Sequence, residues 1–153
     1  WVPGADSAAL IAELKSRRRD MVFGADIIAG FPTETDAMFE NSLRLVDECG
    51  LTFLHVFPFS PRPGTPAARM PMLEKDVIKR RAALLRAKGE HRLQQFLSSQ
   101  IGSKQPVLVE TTSTGRTPQF AMTRFAQRMT PGALVNVDVI GAQPTHLDVR
   151  LAA

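Results

Sequence analysis

The chain has 153 residues, 44% of them apolar, with a net charge of +4 and a single cysteine. That length fits one domain or two small ones, and no apolar run approaches the roughly 18 residues of a bilayer-spanning helix, so no membrane partner is expected. The lone Cys49 excludes an internal disulfide and any all-cysteine cluster made by this chain alone, and it fits a reducing cytoplasm.

The charge is unevenly placed: residues 1–69 carry −2, residues 70–97 carry +4 and residues 98–153 carry +2. A basic second half points to a polyanionic partner such as nucleic acid, although a solvated surface accounts for the same excess. Trp1 to Asp6 show neither the basic nor the apolar segment of a secretory leader. With no initiator methionine, the chain is expected to be a fragment or a processed product.

Ser7 to Arg18 reads as a helix with Leu10, Ile11 and Leu14 on one stripe and Ser7 as its cap. Arg17-Arg18-Arg19 then falls where cations favour the helix dipole. A strand is expected from about Met21 to Ala29. Its near-continuous apolar end, Asp26 to Ala29, suits a strand covered on both faces. Gly30 permits close approach or an unusual φ, Pro32 ends the ladder, and Thr33 or Thr35 can cap the next helix. That helix, about Asp36 to Cys49, carries Phe39, Leu43 and Val46 on one face and ends at Gly50, placed for a left-handed conformation. Cys49 reads as a small buried residue.

A second strand follows from about Thr52 to Phe59, again almost continuously apolar. His55 within it reads as a hydrogen-bonded buried or cleft residue. Strand, helix, strand at this spacing is a parallel βαβ unit. Ligands sit at the carboxyl ends of such strands, where the Gly30–Asp36 loop lies; an ordinary connecting loop is the competing account. Two strands make no independent core, so this part is expected to belong to a larger α/β domain. Four prolines between Pro58 and Pro66 make a stiff loop that would hold Arg62, a residue suited to phosphate or carboxylate.

Glu74 to about Gln100 reads as one long helix with a stripe of Ile78, Ala82, Leu85, Gly89, Leu93 and Phe96. Gly89 suggests close packing of the backbone. Beyond Ile101, short alternating runs between turn residues indicate a small β-barrel or sandwich. The expected division is therefore residues 1–97, α/β with a linking helix, and residues 98–153, all-β. Barrels of this size bind oligonucleotides through basic and aromatic residues on one face; Arg116, Phe120, Arg124, Phe125 and Arg128 are candidates, with either phenylalanine read as core. His55, His91 and His146 are isolated, so no metal-ligand set and no catalytic residue is assigned.

Gly24-Ala-Asp-Ile-Ile-Ala-Gly-Phe-Pro-Thr-Glu-Thr35, followed by His55-Val-Phe-Pro-Phe-Ser-Pro-Arg-Pro-Gly-Thr-Pro-Ala67, closely resembles the last strands of the radical S-adenosylmethionine (SAM) domain of methylthiotransferases. Residues from about Gln100 onward, with Val107-Leu-Val-Glu and Gly115-Arg-Thr, resemble the TRAM domain those enzymes carry at the C-terminus. The phrase His55 to Arg62 is most similar to the branch acting on N6-threonylcarbamoyladenosine in tRNA. The resemblance implies the last βαβ part of a TIM-like barrel, a long linking helix and an OB-like TRAM barrel. The parent enzyme would add a methylthio group to C2 of that adenosine, next to the anticodon, using SAM and two 4Fe–4S clusters.

On this resemblance Ile28, Gly30, Phe57 and Phe59 correspond to SAM-binding positions, and Arg62, Arg116, Arg124 and Arg128 to RNA-binding ones. The implied partners are tRNA, not DNA, and the missing N-terminal part of the same enzyme, in the cytoplasm. The CxxxCxxC motif of the radical cluster is absent, so the chain alone is expected to be inactive. The alternatives are a standalone RNA-binding module without catalysis, or a methylthiotransferase of isopentenyladenosine or of a ribosomal protein.

Overall fold

A computed structural model describes residues 4–152; Trp1–Pro3, part of the stretch read for a leader, lie outside the described residues. The chain divides into two compact units, Trp1–Arg92 and Leu93–Ala153.

In the first unit, α1 (Gly4–Arg17), β1 (Phe23–Ala29), α2 (Asp36–Glu48), β2 (Leu51–Pro58) and a single 3-10 turn (Pro66–Arg69) precede α3 (Lys75–Ser99). The expected Ser7 cap is corrected, because α1 starts three residues earlier and Ser7 lies inside its first turns. Thr35 caps α2, its hydroxyl accepting from the Met38 amide. Gly50 ends the region with φ +60, where a side chain would be strained. β1 and β2 pair in parallel, with Asp26 opposite His55 and Ile28 opposite Phe57.

The expectation of strands covered on both faces does not hold for the described residues. Ala25, Ile27, Leu54 and Val56 pack toward a core of Phe39, Val46, Leu51, Ala82 and Leu85. Each large side chain fully buried there contributes roughly 1.5–3 kcal/mol. The other face is bare: Asp26 and His55 are exposed, and Ile28 and Phe57 are 56% and 51% exposed. The His55 side chain is therefore neither buried nor hydrogen-bonded among the described residues. Gly89 is explained by packing, since a Cβ there would lie 3.0 Å from the Leu54 Cβ.

Cys49 is 1% exposed in this core. Burial pushes its thiol above the ordinary value, with Glu48 adding to the rise and Lys15 opposing it. As pH climbs past the ordinary thiol range, the unfolded chain releases this proton while the folded chain keeps it. The thiol's contribution to stability is thus intact below that range and lost above it. Thiol reagents are expected to label the folded chain slowly at mildly alkaline pH and rapidly in denaturant; fast labelling without denaturant would contradict the burial.

In the second unit, β3 (Lys104–Val109), β4 (Thr114–Arg116), β5 (Met122–Phe125), β6 (Leu134–Ala142) and β7 (Leu147–Leu151) close a barrel in the order β3-β4-β5-β7-β6. Only β5 and β7 run parallel. Inward residues Val107, Val109, Phe125, Val137, Val139, Leu147 and Val149 form the core with Leu97, the last turns of α3 closing it through Leu93 and Phe96. Gly115 is required sterically, because a Cβ would lie 2.5 Å from the Leu108 carbonyl oxygen. The reading of either phenylalanine as core holds for Phe125 and not for Phe120, which sits in the turn before β5 and is 65% exposed.

Thr123 is wholly buried in this barrel, and its hydroxyl has no hydrogen-bond partner among the described residues. A buried hydroxyl without a partner is costly. Thr123→Val keeps the shape and removes it, so thermal unfolding should show a gain of about 1 kcal/mol; a loss would mean the hydroxyl is satisfied.

Candidate functional site

The loop after β1 is fixed by an ion-pair network that the sequence reading did not single out. Gly30 takes φ +80, and its amide donates to the Glu34 Oε2 at 2.9 Å. Arg81 of α3 donates to that same oxygen at 2.7 Å, to the Glu34 carbonyl at 2.8 Å, and to the Asp36 carboxylate at 2.6 Å. Its guanidinium also lies 5.4 Å from the Phe39 ring centre. Burial lowers the affinity of the Arg81 guanidinium for its proton, but the bonds to Asp36 and Glu34 outweigh this, and the net shift is upward. The cation is therefore permanent and holds the carboxylates of the loop. Arg81 lies on the apolar face of α3, three residues from Ile78 and four from Leu85, and a charge on such a face is the signal that could have found it.

The bare sheet face meets the proline-rich loop in an open cavity of about 630 Å³, lined by Asp26, Ile28, Phe57, Phe59, Arg62 and Thr65 among others. Its apolar wall comes from β1 and β2 at their carboxyl ends. Phe59 is held by its amide, which donates to the Ala29 carbonyl at 2.8 Å, and by edge-to-face contact with Phe31 at 5.3 Å. Thr65 pins the loop, its hydroxyl donating to the Arg62 carbonyl at 2.8 Å, while the Arg62 side chain stays exposed. Ile28, Phe57, Phe59 and Arg62 thus come together. Gly30 does not line this cavity; it is buried against Ile78 and shapes the loop instead.

Of the residues expected at RNA, Arg62 lies in the first unit and the other three in the second. Arg116 points outward from β4. It pairs with Glu110 at 3.3 Å, donates to the Phe120 carbonyl at 3.0 Å, and stacks 4.9 Å from the Phe120 ring centre. Arg124 and Arg128 are exposed and have no ion-pair partner among the described residues. In chemical terms, the first surface offers an apolar wall edged by one carboxylate and one guanidinium. The second offers a cation–aromatic stack flanked by unpaired cations. No helix among the described residues is long and apolar enough to cross a membrane.

No protein-family model matches the chain. Among curated proteins, the threonylcarbamoyladenosine tRNA methylthiotransferase MtaB of Rickettsia prowazekii is 40% identical over 135 residues, covering 88% of this chain and 32% of that protein. The tRNA-2-methylthio-N(6)-dimethylallyladenosine synthases of Methylococcus capsulatus and Novosphingobium aromaticivorans are 37% and 36% identical, covering 96% and 97% of this chain and 34% and 35% of their own lengths. The chain is therefore a homologue of the methylthiotransferases over most of its own length, and it spans about a third of the relatives it matches.

Proposed function

We propose that this chain is the C-terminal third of a radical SAM methylthiotransferase that adds a methylthio group to C2 of N6-threonylcarbamoyladenosine next to the anticodon of tRNA. The observation that supports it is the bare face of β1 and β2. Parallel strands covered by helices on one side, with Ile28 and Phe57 exposed on the other, are what a sector of a barrel presents when its remaining strands lie elsewhere. The cavity at the carboxyl ends of these strands is where such a barrel places its ligand.

The residues present suit an adenosyl group. Ile28, Phe57 and Phe59 give an apolar wall for a flat base, and Gly30, locked by Glu34, keeps the loop clear of it. They do not suit an iron–sulfur cluster: Cys49, the one cysteine of the sequence, is buried in the core, so the two clusters of the parent enzyme take their ligands from outside this chain. The radical chemistry of the parent rests on SAM and those clusters, and the chain alone binds without catalysing. Arg62 at the cavity rim, with Arg116, Arg124 and Arg128 on the TRAM-like barrel, contacts tRNA. The setting is cytoplasmic.

A second reading, dimethylallyladenosine as the substrate, is supported by the names of the other relatives. Deleting the gene in the source organism and measuring modified nucleosides by mass spectrometry separates the two. Loss of 2-methylthio-N6-threonylcarbamoyladenosine, with its unthiolated precursor accumulating, is the expected result. Persistence of that product overturns the proposal, and loss of the dimethylallyl product instead establishes the second reading.

A further inference from the structure

We propose that Phe120 is a stacking platform for one unpaired RNA base on the outer wall of the barrel. The inference rests on reading the second unit as RNA-binding and names the spot and the chemistry. Phe120 has φ +66 and is the one non-glycine residue with positive φ among the described residues. The turn that holds it is tied on both sides: the Phe120 amide donates to the Thr117 carbonyl at 2.9 Å, the Thr117 amide donates to the Ala121 carbonyl at 3.0 Å, and the Ala121 amide donates to the Thr117 hydroxyl at 3.2 Å. A left-handed position in a hairpin turn favours glycine or asparagine. A phenylalanine there is strained, and backbone strain of this kind concentrates where a side chain is needed for something other than folding.

The ring is also 65% exposed, so it adds little to the core. Arg116 reaches it from β4 and bonds the Phe120 carbonyl, which fixes both the ring and the backbone beneath it. Leu134, Leu108, Arg116 and Met122 are successive cross-strand partners on β6, β3, β4 and β5. Of these, Leu108 and Leu134, with Pro106 and Pro118, give an apolar floor to an open cavity of about 440 Å³ beside the ring, and Arg116 lies at its side.

A flat ring, a guanidinium and an apolar floor suit the face of a nucleobase, and base–aromatic stacking is sequence-tolerant. The edge of the patch favours RNA over an apolar protein surface. Its one acid, Glu110, is already paired with Arg116. Arg124, two residues along β5 from Met122 on the same outward face, has no ion-pair partner among the described residues and can meet the phosphate that accompanies a base.

The test is binding of a labelled, unstructured oligo(U) RNA to the 153-residue chain, followed by fluorescence anisotropy across a salt series. Phe120→Gly should weaken binding about tenfold, the loss of one stacked base, without changing the salt slope and without lowering the melting temperature, because the strained position is relieved. Phe120→Leu should weaken it as much and Phe120→Trp should not. Arg124→Gln should flatten the slope of log K against log salt by about 0.7. If the chain binds RNA and Phe120→Gly binds equally well, the platform is wrong and the RNA reading stands. If Phe120→Leu keeps full affinity, the patch is an apolar contact and stacking is refuted. If the unaltered chain binds no RNA, both fall.

Discussion

Replacing Arg81 with methionine should destabilise the first unit by about 3 kcal/mol. The side chain is 5% exposed and its main partner, Glu34, 10% exposed. Removing the cation leaves the Glu34 carboxylate buried with only the Gly30 amide as a donor, and it is this stranded charge, more than the lost attraction, that sets the cost. The Asp36 half of the pair matters far less. Asp36 is 91% exposed, so Asp36→Asn should cost under about 1 kcal/mol. Glu34→Gln placed on top of Arg81→Met should recover part of the loss, since the amide keeps an oxygen for Gly30 and carries no charge to strand. Urea unfolding followed by helical circular dichroism measures all three variants, α1 and α2 lying wholly in this unit. Equal costs for Arg81→Met and Asp36→Asn would show that Glu34 is not the partner that counts.

Gly30→Ala should cost about 3 kcal/mol, from two separable sources. A non-glycine residue at φ +80 is strained by roughly 1–2 kcal/mol. The new Cβ would also lie 2.7, 2.9 and 3.0 Å from the Cγ1, Cγ2 and Cβ atoms of Ile78. A β-branched side chain on a helix has little rotamer freedom to retreat, so α3 or the loop must shift, at roughly 1–3 kcal/mol. The double variant Gly30→Ala/Ile78→Ala decides between them. Removing the Ile78 branches relieves the two shortest contacts, leaving the Cβ at 3.0 Å and the strain, so the two changes should be less than additive by about 1–2 kcal/mol. Strict additivity would place the whole cost in the backbone.

Local residue chemistry was enough to read the element order and the bounds of α2 and α3. Periodicity placed α2 and α3, Gly50 and a choice of Thr33 or Thr35 bounded α2, and alternation placed most of the barrel strands, because capping, turn chemistry and the two side-chain periods are properties of neighbouring residues. The resemblance of two motifs and a C-terminal β module to the methylthiotransferases was also legible, and the similarity to proteins so named bears it out.

The tertiary structure alone decided which faces are covered. Asp26–Ala29 and Thr52–Phe59 read as strands buried on both sides, but burial is a property of what packs against a strand, and within the described residues only one side is packed. The same reason separates Phe120 from Phe125: their residue type is identical, yet one points into the barrel and the other stands on a turn with positive φ. Arg81 shows the limit most clearly. In sequence it is one cation in a basic helix; in the fold it is the buried partner of two carboxylates about 45 residues upstream, a pairing that only the packing of α3 against the loop brings about.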